Sequence, residues 1–341
     1  MFANFKKPAL ILILLVVLSS CTNNRFDVDL DKVNLQAIPL KQLEKEIIQL
    51  NEANLNAQTN KLKHEYGNFY ERYITSFINA KGTADSIYQP NVLHFVNDKD
   101  IKNCNKEIQT IYTTEFLNNF EKETNDAIKR FHFFFPKRLT PKQIVTCQSG
   151  WNYSTAFTDS TLVVGLDMYL GEKSIYYQML NFQQYRTSCM NKNYILPDLM
   201  QGWLLTEFDN DVPTNTLLNH TIFYGKIFFT IKALVPEIED SVILHYNTKQ
   251  MAYCNSYEKN LWGFMAEKNR LYENNMRTVQ ELTGEGPFTS AISKDCPPGI
   301  AKWIGWQIVK SYMKNNENVS LEELMNEKDA QKILNKSKYR P

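Results

Sequence analysis

QIVTCQSGWNYSTAFTDSTLVVGL, residues 143–166, is where the chain changes period. Gln143–Cys147, Tyr153–Phe157 and Thr161–Leu166 are short runs rich in β-branched and aromatic residues. Gly150 and the pair Asp159-Ser160 stand between them as turn residues. These runs predict a small antiparallel sheet. On either side the apolar spacing is helical. Upstream, Leu43, Ile47 and Leu50 follow Pro39, a residue suited to a first helical turn. Helical spacing also covers 61–78 and 96–132. Downstream, 198–207, 215–235, 248–273 and 300–314 have the same character, with Pro236 and Pro297-Pro298 as punctuation. Ser320 with Glu323 forms a capping box. The fold class expected is therefore α+β, predominantly helical.

The N-terminus has a different logic. Lys6 and Lys7 precede an uncharged apolar run to Leu18, and Ser19-Ser20-Cys21 follows. A positive start, a short apolar run and small residues before a cut mark a secretory signal. The run is too short to span a bilayer, which takes about 20 apolar residues. A cysteine directly after the small pair makes this a lipobox, so Cys21 is the expected lipidation site. Stable anchoring takes two or more acyl chains. The competing reading is an ordinary secreted protein with an incidental cysteine, or an uncleaved anchor. The expected organisation is a signal peptide at 1–20, a lipid-anchored tether and edge strand at 21–36, and one globular domain at 37–341. The edge strand is suggested by the alternation of Phe26, Val28 and Leu30.

Bulk composition excludes some classes. Removing Lys6 and Lys7 with the leader leaves 36 basic and 37 acidic side chains. A nucleic-acid binder is usually clearly basic, so no nucleic-acid partner is expected. The 20 Phe and 18 Tyr argue against disorder. After Cys21 five cysteines remain: Cys104, Cys147, Cys189, Cys254 and Cys296. Their spacing contains no C-x-x-C pair, an odd number cannot pair fully, and no essential disulfide is expected.

The helix–turn–helix at Asp198–Asp211 and Asn215–Pro236 resembles the metal core of zinc peptidases. There H-E-x-x-H places two zinc-binding His on one helix face, with the Glu between them activating water, and a Glu on the next helix completes the site. Here Thr206, Glu207 and Asn210 occupy the H, E and H positions, and Tyr224-Gly225 the Glu-Gly position. Only the Glu is retained. Thr206, Asn210 and Tyr224 are poor zinc donors, so no metal or other cofactor is expected. Two readings remain: a degenerate zincin-like (gluzincin) scaffold with vestigial positions, or two packed core helices. If the helix continues, Asp211 at i+4 shares a face with Glu207, the one enzyme-like carboxylate pair. No phosphate loop, G-x-S-x-G elbow or dinucleotide fingerprint occurs. Asp167 is more simply a structural hydrogen-bond acceptor than a site acid. Trp303 and Trp306 are expected in the core.

Several segments together resemble the gliding-motility lipoprotein GldB family of Bacteroidota. They are the lipobox, Tyr66-Gly67-x-Phe69, Gly165-Leu166-Asp167-Met168-Tyr169-Leu170-Gly171 and Asp198-x-Met200-x-Gly202-Trp203. Tyr224-Gly225-Lys226, Trp303-Ile304-Gly305-Trp306 with Ser311-Tyr312-Met313, and the end from Asp329 to Pro341 complete the set. Members often carry Glu where Tyr224 stands, so this chain departs further from a metal site. The resemblance implies a palmitate-bearing, periplasm-facing envelope lipoprotein, in the inner or the outer membrane. It also implies envelope partners in gliding or type IX secretion, and no catalytic activity. Two functions stay open: a non-catalytic scaffold, and an envelope hydrolase of zincin descent.

Overall fold

The computed structural model describes residues 25–80, 85–208 and 215–341. The signal peptide, Cys21, Asn210 and Asp211 lie outside these residues. The sheet has four strands: β1 (Leu40–Gln42), β2 (Gln143–Cys147), β3 (Thr155–Thr158) and β4 (Thr161–Gly165). Their order is β1-β2-β4-β3. The three runs between 143 and 166 all form strands. The loop between β3 and β4 is two residues long, with Asp159 and Ser160 at φ 51° and 61°, the positive values that a type I′ hairpin turn requires.

The pairing differs from the expected antiparallel sheet. Only β3 and β4 are antiparallel; β2 lies parallel to β4 and to β1, with Leu40 opposite Ile144. A parallel neighbour needs a long crossover, and here the partner strand comes from about a hundred residues upstream. Pro39 therefore precedes a strand, and the short helix follows at Leu43–Ile47.

Strands β2 and β4 are buried on both faces, as parallel strands usually are. Ile144, Leu162 and Val164 face the larger core, formed mainly with the C-terminal helices. Val145, Cys147 and Val163 face a smaller core. The smaller core is built from the N-terminal helical block, with Leu62, Phe69, Tyr70, Tyr73 and Phe77. The single sheet thus serves as one wall of each core.

Residues 25–36 form no strand. The alternation is real: Val28 is buried while Asp27 and Asp29 are exposed. It reflects irregular chain, with a short 3-10 helix at Leu30–Lys32, lying on helix α1 (Thr114–Phe134). Asn125 of α1 accepts from Ile38 N at 2.8 Å and donates to Ile38 O at 3.0 Å, and Glu121 accepts from Leu40 N at 3.0 Å. Side chains of a helix take the place of a neighbouring strand.

Four further helices position the rest: α2 (Ile195–Glu207), α3 (Leu217–Leu234), α4 (Asp240–Leu244) and α5 (Ile300–Asn315). Helices α3 and α5 cross at van der Waals contact between backbones. A Cβ on Gly225 would lie 2.3 Å from Gly305 O, and one on Gly305 would lie 1.8 Å from Thr221 O. Only glycine permits that approach. Trp303 and Trp306 of α5 are buried in the core as expected. The Ser320–Glu323 capping box is formed. Among the described residues no helix is long and apolar enough to cross a membrane.

Candidate functional site

Of the vestigial zincin-like positions, Thr206, Glu207 and Tyr224 have separate partners. Helix α2 ends at Glu207, and Phe208 is its extended C-cap. Thr206 donates its hydroxyl to Gly202 O at 3.0 Å. Arg138 donates to Glu207 O at 2.6 Å and to its Oε2 at 3.4 Å, and Trp203 Nε1 approaches Oε1 at 3.4 Å. The same guanidinium lies 4.0 Å from the centre of the Phe208 ring. Glu207 is thus held as part of a helix terminus. Tyr224, on α3, has different neighbours: Lys302 Nζ sits 4.4 Å above its ring. Among the described residues no three His, Cys, Asp or Glu side chains are grouped to hold a metal ion.

The chemistry gathers elsewhere, in a cleft of about 740 Å3. Asp198, in the first turn of α2, forms its wall. An acid there complements the positive end of the helix dipole. Its Oδ2 accepts from Tyr169 OH at 2.8 Å, and its Oδ1 lies 2.7 Å from His245 Nε2. Tyr169 reaches the cleft from the segment that leaves β4. Its own carbonyl accepts from Tyr112 OH at 2.7 Å. His245 caps α4 in the left-handed conformation, φ 57°, and its ring meets Tyr194 edge-on at 5.0 Å.

Burial opposes charging the imidazole, but the Asp198 carboxylate outweighs it and holds the His245 pKa above the usual 6.5. Tyr169 is pushed well above the usual phenol value, first by burial and then by Asp198. Lys302 also lines the cleft. Burial lowers its pKa against the attraction of Glu285.

This network can orient a ligand or hold a proton at His245. Nucleophilic catalysis needs more: a nucleophile hydrogen-bonded to the base. Cys189 is the nearest thiol, yet its sulfur contacts His245 O at 3.8 Å, not the ring. Burial raises its pKa, which disfavours the thiolate.

Asp167 acts as a structural acceptor. It is fully buried and accepts from Ser149 N at 2.9 Å, Ser149 Oγ at 3.0 Å and Trp151 N at 2.6 Å. It thereby fixes the turn in which Gly150 and Trp151 take positive φ. Burial pushes its pKa up to about 6, against those hydrogen bonds.

Sequence reading had placed Tyr169 and Asp198 in two separate motifs. The structure joins them. Reading missed His245, which lay isolated among scattered histidines, and Lys302. Two polar residues retained within otherwise apolar motifs were the available signal. The other motif residues serve packing. Lys226 donates to Met325 O and Glu327 O at 3.1 and 2.9 Å, closing the end of the 321–326 helix. Ser311 Oγ donates to Ser337 O at 2.8 Å, and Tyr339 OH to Glu258 at 2.8 Å.

One family model matches this chain over residues 23–341, and its description is gliding motility protein GldB. No curated protein and no solved structure was found to match.

Proposed function

Because the chain belongs to the GldB gliding motility family, we propose that it is a lipid-anchored envelope protein of the gliding apparatus, acting as a non-catalytic assembly component. The anchor is the lipidated Cys21, after removal of residues 1–20. Residues 37–341 act as one domain facing the periplasm. The partners are other envelope proteins of gliding and type IX secretion.

The observation that carries the non-catalytic part is how the shared motif residues are employed. Gly225, Gly305, Lys226, Ser311, Trp303 and Asp167 all hold the fold together. Glu207, the one residue retained from the peptidase pattern, is tied to Arg138.

The test is complementation in a gliding host whose own copy is deleted. Cys21→Ala should abolish palmitate labelling, leave precursor uncut and abolish gliding. Glu207→Gln and His245→Gln, if folded, should restore gliding fully. Loss of gliding in a folded Glu207→Gln or His245→Gln protein would favour the hydrolase reading instead.

A further inference from the structure

The described chain begins in a second cavity, of about 760 Å3, lined by Arg25, Phe26, Phe229, Lys232, Lys310 and Lys314 among others. Four cations stand here against two carboxylates, Asp240 and Glu317. Lys310 Nζ lies 2.6 Å and Lys232 Nζ 3.8 Å from the carboxylate of Asp240. One acid thus serves two ammonium groups. Arg25 donates to Met313 O at 2.8 Å and also reaches Asn316 O and Glu317 O, so it pins the start of the chain to the end of α5. Lys314 is exposed beside it.

The apolar side of the groove continues as a row of rings. Phe26 meets Phe229 at 5.2 Å and Phe134 at 6.1 Å, and Phe134 meets Phe133 at 5.3 Å. Phe133 is 54% exposed. An exposed aromatic backed by partly buried rings beside a basic cluster suits the boundary between headgroups and acyl chains.

Position identifies the occupant. Arg25 stands four residues after Cys21, a reach of at most about 14 Å in extended chain. With Cys21 lipidated, the groove can lie no further than that from the acyl anchor. We propose that this groove binds the phosphate of an anionic membrane lipid and seats the globular body on the bilayer by this face. The choice of a membrane lipid as occupant rests on the lipid-anchor reading. The binding itself can be measured without the anchor.

The experiment uses the mature chain with Cys21→Ser, which carries no acyl group and keeps every described element. It is co-sedimented with vesicles of phosphatidylcholine alone or mixed with phosphatidylglycerol. Binding should require the anionic lipid and weaken as salt rises. Lys314→Glu should weaken it at least about fivefold, the factor one basic side chain near an anionic surface is worth. Phe133→Ser should weaken it as well. Lys249→Glu, an exposed reversal on the 248–266 helix away from the groove, should leave it unchanged. Equal binding to both vesicles, no binding to either, or equal effects of the two charge reversals would overturn the proposal. A failure of the anchor would appear separately, as loss of palmitate labelling in the wild-type chain.

Discussion

Replacing Glu44 with Gln should remove a pH dependence of stability that the wild-type protein carries between mildly acidic and mildly alkaline conditions. Glu44 is fully buried, at the seam where the N-terminal block meets β2. Its Oε2 accepts from Thr146 Oγ1 at 2.8 Å, and its Oε1 has no hydrogen-bond partner. Burial pushes its pKa up from 4.5 to about 7, and the Thr146 hydrogen bond opposes the shift. The sign follows from linkage. A carboxyl whose folded pKa is raised costs nothing below pH 4.5, where it is protonated in both states. Between pH 4.5 and about 7 the unfolded chain ionises this group while the folded one keeps it protonated, so stability falls across that window and levels off above it. A shift of this size corresponds to roughly 3 kcal/mol, of which about 2–3 kcal/mol falls between pH 5 and pH 8. That is a large share of the net stability of an ordinary domain. The assay is urea unfolding of wild type and Glu44→Gln at both pH values. The amide can leave a donor unpaired, and that cost appears as an offset common to both. The change from pH 5 to pH 8 isolates the charge. Wild type should lose about 2–3 kcal/mol more than the variant over that interval. Equal losses, within the error of extrapolation, would refute the argument and mean that water or rearrangement reaches Oε1.

Gly305→Ala would place a methyl 1.8 Å from Thr221 O, so α3 and α5 must part by more than an ångström. Overpacking of this kind costs about 1–3 kcal/mol; Gly263→Ala, with nothing within 4 Å of the new methyl, should instead stabilise by about 0.5–1 kcal/mol. Calorimetry that ranks the two the other way would discard the close crossing. His245 should titrate above 6.5 by NMR, and the stability it adds should be complete below pH 6.5 and fade as pH rises through its folded pKa. Asp198→Asn should bring that pKa down, because burial is then opposed only by the weaker attraction of Glu285; an unchanged titration would remove the pair as its cause.

Local chemistry wrote part of this fold openly into the sequence. The β-branched runs at 143–147 and 161–165, the Asp159-Ser160 turn and the Ser320 cap each depend on neighbours within a few residues, and each was legible. Strand β1 was not. It is three residues long, none of them fully buried, so it carries no alternation, and its partner is remote. The segment from Phe26 to Leu30 shows the opposite error. Its period of two was genuine, but period reports which side chains are covered, not what covers them, and here a helix does. The cleft was half legible. Tyr169 and Asp198 stood out as polar residues inside apolar motifs. Their union with His245 depends on how α4 is placed against α2, which no local pattern encodes. The end of α2 at Glu207 agrees with the helical spacing over 198–207; the spacing does not show that Arg138, far upstream, binds the terminal carbonyl.

The shared sheet has a consequence for how the chain folds as it is made. Strand β2 cannot be covered on both faces until both halves of the chain have arrived. One of its two parallel partners also lies far away in sequence, Leu40 opposite Ile144. Loops of that size close slowly, and the contacts that reward closure come late. A chain emerging amino end first therefore holds the N-terminal helices and β1 in waiting, with Leu62, Phe69 and Tyr73 lacking the wall that later covers them. If lipid is added at Cys21 during this interval, the membrane itself becomes a competing home for those side chains. Assembly becomes a race between the sheet closing and the bilayer capturing its exposed half.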